Sequence, residues 1–233
     1  MFVHIQPMAS PPQSEAELLS RARALAGVTL GELSTRLGLS APPDLRRAKG
    51  FVGQVVQAAL GATAGSRAQP DFAEIGVELK TLPVDRRGRP AESTFVCTID
   101  LGEVGDVEWE HSWVRRKLSR VLWVPVEGER SIPPAERHLG EPLLWSPDAD
   151  EEAALRFDWD ELSGLIGRGD VESITGQMGQ VMQVRPKAAN SRSRRRGFDA
   201  DGAPFAALPR GFYLRATFTA RILEKHYRLP TSS

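Results

Sequence analysis

The apolar positions of this chain repeat with two different periods, and the change of period divides it into helical and extended stretches. After Ser14 the spacing is helical. Leu18, Leu19, Ala22 and Leu25 fall on one stripe, Ser14 and Glu17 have capping-box spacing, and Gly27 supplies the stop. Thr29 and Glu32 repeat the box ahead of Leu33 and Leu37, with Gly38 behind them, so two short helices in a hairpin are predicted. A third helix is predicted from about residue 45 to residue 60, with Val52, Val55, Val56 and Ala59 as its stripe and Gly61 as its end. The proline-bearing first dozen residues read as a loose arm, and the small residues 61–67 as a flexible loop.

From residue 75 to 82 the period becomes two. Val77 and Leu79 alternate with Glu78 and Lys80, the pattern of a half-buried strand, and a turn follows at residues 85–88. Further strands are predicted at residues 93–99, 121–126, 143–145 and 212–214, with a short basic helix at residues 112–118 between the first two. Ser146, Pro147 and Asp148 read as cap, first-position proline and first-turn acid of a helix whose core face is Leu155, Trp159, Leu162 and Ile166. A hairpin is expected over residues 171–185, an exposed loop over 188–204, and a last helix from a Thr217 cap to about His226. Helices mixed with strands, some in hairpins and some in crossovers, indicate an α/β or α+β fold on a mixed sheet.

Length narrows this further. The 233 residues suit one generous domain or two closely joined lobes, which would run over about residues 14–110 and about 111–233. Cys97 is the single cysteine and sits in an apolar run, which excludes an internal disulfide and a cysteine-based zinc site and fits a reducing cytoplasm. The N-terminus has no signal-peptide pattern, and no stretch has the apolar length of a membrane span. The four histidines, His4, His111, His138 and His226, are scattered without ligand spacing. Thirty basic and thirty acidic residues cancel, so the total charge does not mark a DNA-coating protein. Basic residues nevertheless cluster at Arg115, Arg116, Lys117 and Arg120 and at Arg192, Arg194, Arg195 and Arg196. Segregated charge of this kind can build one basic face on a neutral protein.

The chemistry is carried by Asp71, which follows Pro70, and by Glu78-Leu79-Lys80 six intervening residues later. On a strand Glu78 and Lys80 project from one face, about 7 Å apart. Two carboxylates on a rigid platform form a hard oxygen site suited to Mg²⁺, with the Leu79 carbonyl between them as a third ligand and Lys80 aimed at an attacking water or a scissile phosphate. Phosphodiester hydrolysis requires such a set, because the metal acidifies a bound water and offsets phosphate charge while the lysine adds positive charge. Alternating Glu and Lys is also the ordinary pattern of a solvated strand face, so the motif alone leaves both readings open.

The residues around that motif resemble the MutH family of DNA mismatch-repair endonucleases. The resembling stretches include Ala48-Lys-Gly-Phe-Val-Gly53, residues 60–66, residues 71–85, Thr94-Phe-Val-Cys97, residues 117–133, Leu143-Leu-Trp-Ser-Pro147, residues 184–190 and Leu208-Pro-Arg-Gly-Phe-Tyr-Leu214, in order along most of the chain. The resemblance implies a restriction-endonuclease-like fold, a mixed sheet flanked by helices with two lobes forming a DNA cleft. It implies a monomer that nicks the unmethylated strand 5′ to the G of hemimethylated GATC in duplex DNA, using water activated by one or two Mg²⁺ ions. A MutL-type repair protein would be its activator. Asp71, Glu78 and Leu79 would hold metal, with Lys80 and Lys117 as catalytic lysines. Lys49 and Gly50 resemble a DNA-contacting loop. Arg185, Pro186 and Lys187 resemble the recognition loop, Tyr213 a reader near the adenine methyl position, and Glu92 and Phe95 positions tied to DNA recognition.

One departure stands inside the active-site cluster. The family carries a glutamate in the third helix where this chain has Gln57, which keeps length and a carbonyl but loses the charge. Two alternatives stay open beside the repair nuclease: a restriction-type GATC endonuclease that needs no partner and cuts both strands, and a non-catalytic DNA-binding module if Gln57 has disabled the site.

Overall fold

Two of the sequence's capping signals become observed hydrogen bonds. The computed structural model describes residues 9–63, 69–187, 195–198 and 204–227, and for 195–198 and 204–207 it describes the backbone. In α1 (Glu15–Arg23) the Ser14 side chain accepts the Glu17 N–H, and in α2 (Leu30–Arg36) Thr29 and Glu32 form a reciprocal capping box. The third helix, α3, runs over Phe51–Leu60, six residues shorter at its start than the periodicity suggests. Gly50 stands at its head with φ of 85°, a left-handed conformation that interrupts helical geometry and that glycine tolerates best.

The chain divides into two compact units, each assembled from separated stretches: residues 1–91, 120–146 and 223–233 in the first, residues 92–119 and 147–222 in the second. In the first unit β1 (Glu78–Val84) pairs in parallel with β3 (Val121–Glu127), and β3 pairs antiparallel with β4 (Leu143–Trp145), giving the order β1-β3-β4. Leu18, Leu30, Leu33, Val55, Val56 and Leu60 from the three helices bury against Val77, Leu79, Leu122 and Val124 of the sheet. The Glu15 carboxylate accepts from the Arg120 guanidinium and joins α1 to the start of β3; that bond holds the Glu15 pKa below its ordinary value. Residues 73–75 form one 3-10 turn closed by Gly76, so the strand expected from Ile75 onward does not begin there. The strand starts at Glu78 and continues through Pro83. That proline falls at an alternate position whose backbone points away from β3, where a missing N–H breaks no ladder bond.

In the second unit β2 (Thr94–Thr98), β8 (Arg210–Leu214) and β5 (Met182–Pro186) form an antiparallel sheet in the order β2-β8-β5. A bulge between Phe95 and Cys97 buries Val96 and Cys97 in succession, which explains why this run is apolar without alternating. Helix α5 (Ala149–Gly167) packs its predicted face of Leu155, Trp159, Leu162 and Ile166 inward, with the Trp159 ring 5.1 Å from that of Phe212. Its N-cap is Asp148, in a capping box with Glu151, rather than the expected Ser146. The short basic helix α4 (Trp113–Leu118) forms as expected, and the structure shows Ser112 as its cap. The last helix, α6 (Ala216–Tyr227), already contains Thr217, and the Arg215 carbonyl receives the N–H groups of Phe218 and Thr219. A short ribbon, β6 (Arg195–Phe198) with β7 (Pro204–Ala207), replaces part of the loop expected over 188–204. The N-terminal arm up to Met8, most of the loop at 61–67, His4, Arg192 and Arg194 lie outside the described residues.

The hairpin expected over 171–185 is not formed: residues 171–173 make a single 3-10 turn and the strand begins at Met182. Side chains have taken the backbone groups that a first strand would use. The Asp158 carboxylate, fully buried on α5, accepts the N–H groups of Gln180, Val181 and Met182 at 2.8, 2.7 and 2.7 Å. The Arg215 guanidinium donates to the carbonyls of Gly176, Met178 and Gly179. Asp158→Ala therefore leaves three donors short of an acceptor. It is expected to lower stability by about 3 kcal/mol or more, read as a shift in the urea midpoint at unchanged slope. A loss under about 1 kcal/mol would mean that the segment does not depend on this carboxylate.

Candidate active site

Asp71 reaches β1 because the chain turns back on itself between them. Phe72 and Val77 exchange backbone hydrogen bonds across the 3-10 turn, so Asp71 returns to lie beside Leu79. The two carboxylate oxygens then take different donors. Oδ2 accepts the Leu79 N–H at 2.9 Å, and Oδ1 accepts the Gln57 amide Nε2–H at 2.8 Å. The Asp71 carbonyl accepts the Thr63 N–H at 3.2 Å, a second tie to the chain just beyond α3. Asp71 is 6% exposed and Glu78 3% exposed. The alternating Glu-Leu-Lys is therefore not a solvated face.

Backbone direction accounts for Leu79. In a strand the N–H and C=O of one residue point to the same side, and neighbouring residues point to opposite sides. The Glu78 N–H goes to the Arg120 carbonyl at the start of β3, and the Leu79 N–H goes to Asp71. The Leu79 carbonyl is accordingly turned to the Asp71 side of β1, the free edge of the three-stranded sheet. On the strand face Lys80 Nζ donates to Glu78 Oε1 at 2.8 Å, with the lysine side chain 12% exposed. Asp71, Glu78, Leu79, Lys80 and Gln57 are thus brought together.

These groups fit a divalent cation that prefers oxygen. Asp71 and Glu78 set two largely buried carboxylates near one lysine, where water screens charge poorly. The donors are hard oxygens, with no sulfur or imidazole among the residues just named. No cluster of three or more His, Cys, Asp or Glu side chains suited to a metal occurs among the described residues. The remaining coordination positions of an ion at Asp71 and Glu78 would fall to backbone oxygen, water or phosphate, the way Mg²⁺ is ordinarily held.

Lys49 and Gly50 are exposed at the head of α3, in the same unit. Lys117 belongs to the second unit, on α4, where its Nζ stands 5.2 Å from the centre of the Trp113 ring. The first basic cluster is partly neutralised. Arg115 pairs with Glu152 of the acidic stretch and Arg120 with Glu15.

Of the predicted recognition residues, Phe95, Arg185, Lys187 and Tyr213 gather on one face of the second unit's sheet. Tyr213 pairs with Phe95 across one edge and with Gln183 across the other. The Phe95 and Tyr213 rings meet edge to face at 5.3 Å. Arg185 lies 5.9 Å from the centre of the Tyr213 ring, and Lys187 Nζ lies 3.2 Å from that of Phe95. The exposed run Arg185, Pro186 and Lys187 is anchored at its end, where the Lys187 N–H donates to the Pro209 carbonyl at 2.7 Å. Burial pushes the Tyr213 hydroxyl above its ordinary pKa, Arg185 opposes this and Glu92 adds to it. Tyr213 therefore stays a neutral phenol at physiological pH, able to donate and accept.

Three supporting residues escaped the sequence reading. Thr98 Oγ1 accepts from Lys187 Nζ at 3.3 Å. Asp158 sets the start of β5, and its signal was a carboxylate inside an apolar helical stripe. Gly211 is the third: a Cβ there would stand 2.9 Å from the Cys97 carbonyl and 2.9 Å from Phe95 Cε2. Gly211→Ala must push β2 or the Phe95 ring aside, at a cost of about 1–3 kcal/mol. A lowered melting temperature is expected, and an unchanged one would show that the ring has room to move.

Comparison with known proteins bears on the whole chain. Residues 60–158 match the family model described as "DNA mismatch repair enzyme MutH". The "DNA mismatch repair protein MutH" of Klebsiella pneumoniae subsp. pneumoniae is 56% identical over 225 residues, 97% of each chain. Those of Klebsiella pneumoniae strain 342 and Salmonella paratyphi C are each 55% identical, over 97% and 96% of both chains. With identity at this level from end to end, and with the buried Asp71 beside a strand that carries Lys80 and the buried Glu78, the chain belongs to the MutH family of restriction-endonuclease-like DNA mismatch repair enzymes.

Proposed function

We propose that this protein is the Mg²⁺-dependent endonuclease of a mismatch-repair system, nicking the unmethylated strand 5′ to G at hemimethylated GATC sites. It would act in the cytoplasm as a monomer stimulated by a MutL-type protein. The observation that carries this reading is the buried Asp71–Glu78–Lys80 platform at the free edge of β1. It stands in a chain matched along 97% of its length by mismatch-repair proteins.

Asp71 and Glu78 would hold the cation, with the Leu79 carbonyl turned to the same side. When bound, the ion supplies Lewis acidity toward water and positive charge toward the phosphate. The protein's own groups do the rest. The Leu79 N–H and the Gln57 amide orient the Asp71 oxygens before substrate arrives. Lys80 brings a positive charge beside Glu78 and can shift it to the scissile phosphate or the incoming water. Lys49, Gly50 and Lys117 would serve phosphate contacts, which position the duplex without reading it. Arg185 and Lys187 would address guanine O6 and N7, while the neutral Tyr213 hydroxyl, braced by Phe95, would meet adenine N6 where a methyl group intrudes. Glu92 and Pro186 would belong to the same DNA-contacting surface.

The test is a nicking assay on a hemimethylated GATC duplex with Mg²⁺, with and without a MutL-type protein. Strand-specific nicking raised by the partner is expected. Cutting of both strands without a partner would indicate a restriction-type enzyme, and binding without cutting a non-catalytic module. Asp71→Ala should lower nicking by more than about 100-fold while duplex binding in a gel-shift assay persists; retained nicking would sink the site assignment. Tyr213→Ala should reduce discrimination between methylated and unmethylated strands by roughly tenfold, measured as a ratio of nicking rates. An unchanged ratio would remove Tyr213 from the reading face.

A further inference from the structure

Gln57 occupies the last turn of α3 between the buried Val56 and Ala58, an apolar setting in which a polar side chain needs a partner. Its partner is Asp71: Nε2 stands 2.8 Å from Oδ1. An ionised carboxylate can only accept, so the NH₂ end of the amide must face it, and the contact is a neutral donor on a buried anion. The backbone of the same turn is firmly placed. The Gln57 carbonyl accepts the Ala62 N–H at 2.9 Å, and Thr63 donates to the Asp71 carbonyl. Helix α3 and the Asp71 loop are joined through both side chain and main chain.

The geometry points to a role for Gln57 that goes beyond filling space. We propose that Gln57 is a positioning residue that holds Asp71 in its ligand orientation before any cation arrives. Its neutral amide also keeps the cation affinity of this site below what a carboxylate at the same position would give. This rests on the reading of Asp71 as a metal ligand. Gln57, Asp71, Glu78 and Lys80 together carry a formal charge of −1, counted as two carboxylates and one ammonium. A carboxylate at position 57 would make the sum −2 and would set two anionic oxygens against each other where an amide N–H now meets an oxygen. That repulsion destabilises the empty site, and a divalent cation relieves it. The chain therefore has a site that is preformed when empty and depends less on a cation for its shape.

The experiment compares wild type, Gln57→Glu and Gln57→Ala without DNA, by thermal melting in chelator and by Mn²⁺ titration calorimetry. Both variants are expected to melt lower than wild type in chelator, by roughly 3 °C or more. Gln57→Glu alone should bind Mn²⁺ about tenfold tighter and regain its melting temperature as Mn²⁺ is added. Gln57→Ala, which removes the donor without adding charge, should gain no affinity. The proposal is overturned if both variants melt as wild type in chelator, or if Gln57→Glu binds Mn²⁺ no tighter. Absence of Mn²⁺ binding in all three proteins would instead overturn the metal reading of Asp71, whatever the melting temperatures are.

Discussion

The Asp71 carboxylate is the interaction on which the first unit's arrangement around β1 depends. One oxygen takes the Leu79 N–H on the edge of β1 and the other takes the Gln57 amide on α3. A buried carboxylate is tolerable only when its lone pairs are met, and here the groups that meet them belong to two separate elements. Satisfying Asp71 therefore fixes where α3 ends relative to β1. It also turns the Leu79 carbonyl toward the same side and leaves Glu78 and Lys80 paired on the strand face. The bonds that make the buried charge bearable also fix the orientation of its two oxygens.

The second unit solves a different problem with the same physics. Its sheet must present Tyr213, Phe95, Arg185 and Lys187 on one face while the other packs on α5. That requires β5 to begin at one residue and no other, since a slip of one position would reverse every side chain. Asp158 collects three successive N–H groups and Arg215 three carbonyls, so the segment before Met182 has no free ladder to extend. Gly211 then lets Phe95 lie close over β8. Charge is distributed with comparable economy. Arg115 and Arg120, read as members of one basic cluster, are bound to Glu152 and Glu15, while Lys187 stands over the Phe95 ring.

Elements whose signals are local were legible in the chain. The Ser14 and Thr29 caps, the inward face of α5 and the strands at 121–127 and 143–145 follow from spacing over a few residues, and local geometry enforces them. The misreadings share one cause. Residues 171–181 carry strand-like composition, yet Asp158 and Arg215, 22 and 39 residues away from their contacts, take the backbone groups a strand would pair. Residues 45–50 continue a helical pattern that a left-handed Gly50 ends. The strand expected at residues 93–99 does form, as Thr94–Thr98, and a bulge after Phe95 accounts for its unbroken apolar run.

What the sequence by itself determined is the set of chemical groups and their local spacing: two carboxylates and a lysine around one strand, a lone cysteine, a tyrosine two residues after Gly211, and a family signature spread along the chain. It could not say whether Glu78 and Lys80 face water or the interior, because alternation is the same for a solvated face and a buried platform. Only the tertiary structure decided that, by burying Glu78 to 3% exposure and closing α3 over Asp71. It alone showed that the neutral amide at position 57 is turned to use, donating to the carboxylate that a charged group would have repelled. The reason is general: hydrogen-bond partners and burial are set by residues distant in the chain, and no local pattern encodes which distant group will arrive.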